Sequence, residues 1–395
     1  MAESRAVRKK WALVIVACAI ACLAATPHKK PVRKRAPPRP AAAAKAAPTL
    51  APGAPTAAAA SPDTPVTAPE PAPADLYGKW WSVCDNGADC AVLGTGGEGT
   101  AITVMLRRGP EAQAPVRATV ITDPSAKPTG PVTWRLLASG KTFATVQASE
   151  VEGVMQAELS SADGKALAAR LTQDQVLRVE GPGANASLST AGAAMVLRSL
   201  DEIQGRAGGV TALAVPGRAG AAAVPHPPEL PIVAARRISA QSDLPAVAPN
   251  SAVRDQARCR GVLRTFQRAR EFKVYRLGPD ALLWMLPCGT AGTQAYDMVL
   301  VSDGRGERVR PALPADATIE DLPNSVRNHV SFDVTSGVLM DINGIKGSTD
   351  CGRATEWMWT GQDFTRVREY QMDECVGVPM TLWPDTYRVT VRRAG

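Results

Sequence analysis

The chain has 395 residues, with 45 Lys and Arg against 37 Asp and Glu, and 45% of it is hydrophobic. That length exceeds one ordinary domain, and that apolar content excludes global disorder. Residues 1–75 carry 11 basic and 4 acidic side chains and the remainder carries 34 and 33, so the net charge of +8 resides mainly in an N-terminal arm and not in a folded, basic, nucleic-acid-binding surface.

Arg5, Arg8, Lys9 and Lys10 precede an apolar run from Trp11 to Ala25. A basic head followed by about 15 apolar residues reads as a secretory signal, since a spanning helix needs roughly 18 or more. Cleavage near Thr26 is one route, and small residues before Cys22 offer lipidation there as another. Lys29, Lys30, Arg33, Lys34 and Arg35 follow at once and oppose translocation, which keeps an uncleaved anchor open. Residues 26–75 form a Pro- and Ala-rich arm: between 27 and 75 there are 13 prolines, 16 alanines and no aromatic residue, too little apolar area to offset ordering. This is a disordered spacer, and its cationic stretch 29–39 is a candidate tether to an anionic envelope surface.

Residues 76–204 carry short runs rich in Val, Ile, Thr and Leu: Ala101–Leu106, Val116–Ile121, Val132–Leu137, Thr142–Ala148 and Val154–Leu159. Asp85-Asn86-Gly87, Asp123-Pro124, Ser139-Gly140 and Asp163-Gly164 punctuate them as turns. The pattern predicts a β-sandwich or barrel-like domain with one C-terminal helix packed on it. That helix has Ser189 or Thr190 as its cap, Val196, Leu200 and Ile203 as its apolar stripe, and Gly205 as its stop. Residues 205–256 are Pro-, Gly- and Ala-rich and read as an interdomain linker. Residues 257–395 repeat the β pattern, with strands expected at Phe272–Leu277, Ala281–Leu286, Asp297–Ser302, Val330–Asp333, Val338–Ile342, Glu356–Trp359, Thr365–Met372 and Tyr387–Val391. The expected architecture is therefore mainly β, two antiparallel sandwich- or barrel-like domains behind a disordered arm.

Six cysteines follow the N-terminal segment, two in the first expected domain and four in the second. Pairing within domains joins Cys84 to Cys90. Among the other four, three connectivities are possible, and proximity favours Cys259–Cys288 with Cys351–Cys375. Each bridge is worth on the order of 2–4 kcal/mol, and together they indicate an oxidising compartment.

Residues able to run chemistry are few. His28 and His226 lie in the arm and the linker, so His329 is the one candidate imidazole base inside a domain, within a polar loop. Cys84 and Cys90 lack the spacing and further ligands of a zinc site. Gly94-Thr-Gly-Gly-Glu-Gly-Thr100 lacks the Lys and the following helix of a phosphate loop and reads as a hairpin connection. Asp341 to Asp350 offers oxygen ligands without the bidentate Glu of a calcium loop. No cofactor or metal is expected. Trp357 and Trp359 alternate on one strand and face one side, joined by Trp284 and Trp383, either as core or as a partner-binding surface. Arg198 and Asp201, with Gln204, share one side of the helix and form a second candidate docking face.

Taken together, Trp80, Trp81 and Cys84-Asp-Asn before Cys90, then Ser189-Thr-Ala-Gly192 and Leu197-Arg-Ser-Leu-Asp201-Glu-Ile-Gln-Gly-Arg206, resemble a bacterial exported family known as domain of unknown function 1176. Leu286-Pro-Cys288, Gly347-Ser-Thr-Asp-Cys-Gly352, Trp357-Met-Trp-Thr-Gly361 with Phe364, Cys375, Trp383 and Tyr387-Arg388 continue that resemblance over about 77–395. The Trp-x-x-Cys opening and the helix also look loosely like the invasion-associated locus B family. Neither resemblance implies a reaction or catalytic residues. The expectation is a non-catalytic periplasmic or envelope-anchored protein that binds a protein or polysaccharide partner and no nucleic acid. The alternatives are a carboxylate-dependent glycan hydrolase, which needs two acids about 5–10 Å apart, and a purely structural anchored protein.

Overall fold

A computed structural model describes residues 75–96, 101–173, 176–241, 244, 272–291, 294–314, 326–345 and 350–394. Residues 1–25, expected to be a signal, with Cys22, nearly all of the 26–75 arm with its 29–39 cationic stretch, and Cys259 lie outside the described residues.

The chain is mainly β, as expected. Ten strands form the first sheet: β1 (Asp75–Tyr77), β2 (Trp80–Cys84), β3 (Cys90–Gly96), β4 (Ile102–Arg108), β5 (Val116–Thr122), β6 (Val132–Ala138), β7 (Lys141–Val151), β8 (Val154–Leu159), β9 (Val176–Gly181) and β10 (Ala184–Ser189). Their order is β1-β2-β3-β4-β5-β8-β7-β6-β9-β10, antiparallel throughout. The long β7 pairs with β6 along most of its length and with β8 at its C-terminal end, and β10 lies back over β3 and β4. Outer strands such as β7 and β9 alternate buried and exposed residues, the period-2 signature of a sheet wet on one side.

Strands β2 to β4 are different, because they are buried on both faces. Trp80, Val92, Val104 and Leu106 face a core shared with two helices, α1 (Ser161–Leu171) and α2 (Ala193–Ile203). Their neighbours Trp81, Leu93 and Met105 point the other way, into a second core built with Cys351, Tyr370 and Trp383 from the C-terminal third. The near-continuous apolar runs of these strands reflect this two-sided burial.

Helix α1 departs from the sequence reading, in which Asp163-Gly164 marks a turn. Ser160 caps α1, accepting from the Asp163 amide at 3.1 Å. Gly164 sits within the helix because a Cβ there would meet the Val116 carbonyl at 2.9 Å. Helix α2 appears where expected and stops before Gly205, but Gly192 is its N-cap rather than Ser189 or Thr190, because Ser189 is spent closing β10. Its buried stripe is Val196, Leu197 and Leu200, with Ile203 37% exposed.

Within the stretch expected as a linker, β11 (Ile232–Arg236) pairs in parallel with the last strand, β22 (Thr390–Ala394). The next sheet contains β12 (Lys273–Gly278), β13 (Ala281–Ala291), β14 (Gln294–Asp303) and β15 (Arg310–Pro311), with β16 (Val326–Asn328) also on β14. A five-stranded antiparallel sheet follows in sequence order: β17 (Ser331–Asp333), β18 (Val338–Gly344), β19 (Gly352–Trp359), β20 (Phe364–Met372) and β21 (Asp385–Arg388). Leu277, Leu283, Val299 and Val301 of one sheet pack against Leu339, Trp357, Trp359 and Phe364 of the other, so the two make a sandwich.

Candidate functional site

Strands β18, β19, β20 and β21 put Asp341, Thr355, Glu369 and Tyr387 in one cross-strand row. Asn343, Arg353 and Gln371 make the next row, and Leu339, Trp357 and Arg366 flank it on the other side. Odd-numbered residues of β19 share a face by the pleat, and a bulge in the β19–β20 pairing at Glu356/Trp357 brings Arg366 to the same face as Glu369. The segment 310–314, at and beyond β15, forms the opposing wall. Between wall and floor lies a cleft of about 680 Å³.

The floor is charged. Asp341 is 8% exposed and accepts the Trp357 indole N–H at 2.7 Å. Burial pushes its carboxyl up to about 6; the Trp357 hydrogen bond and the charge of Arg327 oppose that rise, and nearby Glu369 adds to it. Glu369 accepts from Thr386 Oγ1 at 2.9 Å and pairs with Arg366 at 3.1 Å and Arg353 at 3.8 Å. The Arg366 guanidinium lies 4.0 Å from the centroid of the Tyr387 ring, a cation–π stack that fixes its plane. Arg310 on the wall pairs with Asp363 at 2.8 Å.

The structure distributes the sequence candidates unevenly. Trp357 lines this cleft, although its indole is only 6% exposed and sits mainly in the sandwich core. Trp359 packs on Phe364, with ring centroids 5.4 Å apart, and is 4% exposed. Trp284 and Trp383 do not join them, because each belongs to a separate core. The aromatic group is therefore packing, with Trp357 also serving as a hydrogen-bond donor at the cleft floor.

Arg198 remains on the surface, paired with Glu202 at 2.9 Å. Asp201 does not share that face. It is 1% exposed, and its Oδ2 accepts the Leu213 and Ala214 amides at 2.7 and 2.8 Å, tying the following loop to the helix. Gln204 and Arg206 complete this arrangement by donating to carbonyls of Arg108, Gly109, Pro110 and Ala112. The helix-end signature thus builds a loop cradle, and Asp201 is removed from any docking face.

Cys84–Cys90 and Cys351–Cys375 are disulfides, and Cys288 is also disulfide-bonded. Asp350 lies beside Cys351 and Cys375, but paired sulfurs are not thiolate ligands. Gly94 belongs to β3, where a Cβ would strike the Trp80 ring at 2.5 Å; its glycine serves packing. His329 follows β16 with its ring half-buried, and its Nε2 has no hydrogen-bond partner among the described residues.

One motif gains an unforeseen role. Asp85 Oδ1 accepts the Gly87 and Asp89 amides, while its Oδ2 pairs with Arg388. Asn86 donates to the Arg388 carbonyl at 3.0 Å and accepts its amide at 2.8 Å. The Cys84–Cys90 loop is a clasp on the C-terminal strand β21.

A family model described as a protein of unknown function, DUF1176, matches residues 75–390, a span that contains the clasp, the helix-end cradle and every residue of the cleft. The chain belongs to the DUF1176 family. No curated protein and no solved structure matches it. Two bridges within the DUF1176 span indicate a chain that matures in an oxidising, non-cytoplasmic compartment. Among the described residues no helix is long and apolar enough to cross a membrane.

Proposed function

We propose that this DUF1176 protein is a periplasmic or envelope-anchored binding protein that takes up a polysaccharide partner in the cleft over β18–β20. The cleft carries this reading, because its volume suits a few sugar units and it is lined by fixed amide, hydroxyl, carboxylate and guanidinium groups such as Asn343, Thr355 and Arg353. The disulfides support the compartment. The arm, with its cationic stretch 29–39, serves as a tether to an anionic surface. Asn343 is exposed at the mouth of the cleft, so Asn343→Trp should block it without unfolding the protein. Retention of the protein on immobilised envelope polysaccharide measures this. Equal retention of the variant, or none by the unaltered protein, would overturn the assignment.

A hydrolase is the second reading, favoured by the pairing of Asp341 with Glu369. They stand two strands apart in one row, which separates their backbones by roughly 9–10 Å. An acid whose burial holds it near 6 beside a carboxylate clamped by two arginines is a general-acid and general-base arrangement of the inverting kind. Release of reducing ends from envelope polysaccharide, lost in both Asp341→Asn and Glu369→Gln, would establish it. Its absence in the unaltered protein leaves binding alone.

A further inference from the structure

The layering of charge in the cleft says which polysaccharides it accepts. Glu369 has a side chain 9% exposed and Asp341 is 8% exposed, so both acids lie at the floor. Above them Arg353, Arg310 and Arg366 have side chains 56%, 44% and 40% exposed. A ligand descending into the cleft therefore meets guanidinium groups first. Among the described residues that line the cleft, the one carboxylate at that level is Asp363, 65% exposed and paired with Arg310.

Arg353 and Arg366 share Glu369 as their ion-pair partner. Both reach Glu369, at 3.8 and 3.1 Å, while Arg353 makes one other weak contact, to Gln371 Oε1 at 3.4 Å. The lining as a whole sets three guanidiniums against the carboxyls of Asp341, Glu369 and Asp363, so the preference for an anion comes from depth: Asp341 and Glu369 lie on the floor and the guanidiniums stand above them. Each guanidinium has five N–H donors in a planar fork, and one carboxylate below cannot occupy both sets. Tyr387 fixes the plane of Arg366, so little of that side chain's freedom remains to be lost on binding, and Arg353 reaches the same Glu369 from the neighbouring row.

We infer that the cleft selects an acidic polysaccharide, seating a carboxylate or phosphate oxyanion of the sugar chain between Arg353 and Arg366 above Glu369. This rests on the cleft being the polysaccharide site and adds the charge class of the ligand. Carboxylate and phosphate share the required chemistry, a small oxyanion that accepts two or more N–H bonds from paired guanidiniums.

Calorimetric titration of the full chain, disulfides intact, tests this with three probes: oligogalacturonate for the carboxylate, phosphorylated dextran for the phosphate, and plain dextran as the neutral control. Binding of at least one acidic probe, weakening at high salt, with plain dextran failing to bind, is the expected result. Whichever acidic probe binds identifies the source of the oxyanion. Arg353→Gln and Arg366→Gln should each weaken binding by about tenfold or more, the cost of losing a charge-assisted pair. Each single variant leaves Glu369 the other guanidinium and Thr386 Oγ1, so the variants should fold, with the parent's circular dichroism spectrum and a melting temperature lowered by a few degrees. Arg353→Lys guards against misfolding: it retains the charge, loses the fork, and should fall between parent and Arg353→Gln. Plain dextran binding as tightly as the acidic probes, or full affinity in the Arg353→Gln/Arg366→Gln double variant, would overturn acid selection while leaving the cleft as a polysaccharide site. Failure of all three probes would overturn both readings.

Discussion

Asp341 is the carboxyl of the cleft whose environment opposes its ionised form. Its carboxyl is pushed up to about 6 chiefly by burial, whereas in the unfolded chain it titrates near the ordinary value of 3.8. Between those values the unfolded state is ionised while the folded state still holds the proton. Folding stability therefore falls as pH rises from about 4 to about 6, and the full penalty persists above that window. A shift of roughly two units corresponds to about 3 kcal/mol. Asn is close in shape, and its Oδ1 can still accept the Trp357 indole N–H, so Asp341→Asn removes the penalty without removing that contact. The variant is expected to be more stable than the parent by about 1–3 kcal/mol at pH 8 and to lose the advantage below pH about 4. Urea unfolding of both proteins across this range measures the difference. A difference that does not change with pH would mean that Asp341 is ionised throughout. A gain in stability accompanied by lost ligand binding would match the common trade at functional sites, where a group is kept in an unfavourable state for its role.

At the scale of elements, the Cys84–Cys90 loop and β21 form a polar contact between the first sheet and the C-terminal sandwich, beside the apolar core they share. Asp85 is buried and holds the Arg388 guanidinium, and the Asn86 side chain substitutes for a strand by pairing both backbone groups of Arg388. Asp85→Ala leaves the guanidinium without its main partner and also frees two turn amides, so a loss of about 2–4 kcal/mol is expected. Asn86→Ala should cost about 1–3 kcal/mol by leaving an amide and a carbonyl unpaired. Chemical denaturation of each variant reads these losses; changes under about 0.5 kcal/mol, the range of ordinary surface substitutions, would show the clasp to be incidental. Most strands were legible in the sequence because their Val-, Ile- and Thr-rich runs are short and bounded by turn residues; Cys84–Cys90 followed from pairing within a domain and Cys351–Cys375 from proximity. Helix α1 was not, since Asp163-Gly164 carries a turn signature, whereas the glycine is there for the close approach of Val116. The clasp and the cleft were also hidden. Asp85 and Arg388 are 303 residues apart, and the floor unites positions 341, 355 and 369 through strand register, a quantity that no local pattern encodes.

On the scale of the whole molecule, β2 to β4 act as a shared wall. Trp80 faces the helix-bearing core, and Trp81, one residue on, faces the core built with Cys351, Tyr370 and Trp383. The described residues from Asp75 onward accordingly form one compact unit, although the composition suggests two halves separated by a linker. The linker stretch adds to this unity, since Val233 and Ala235 of β11 are buried against Met358 and Val367. Two domains joined by a free linker would each bury their own apolar faces and melt separately. Here a fragment lacking the first sheet would expose the apolar faces of Ala354, Tyr370, Met372 and Trp383 together, a patch of the size that drives aggregation. We therefore expect a single cooperative transition for the span 75–394, reported equally by tryptophan fluorescence and far-ultraviolet circular dichroism. Trp81→Ala, which empties a large volume in the shared core, should lower the stability of the whole span by about 3–5 kcal/mol. Two separated transitions in the parent, or a Trp81→Ala variant in which one part melts early while the rest is unchanged, would mean that the halves fold independently. In that case the clasp at Arg388 would be a contact between two finished domains, and the cleft over β18–β20 would keep its ligand affinity in the C-terminal half alone.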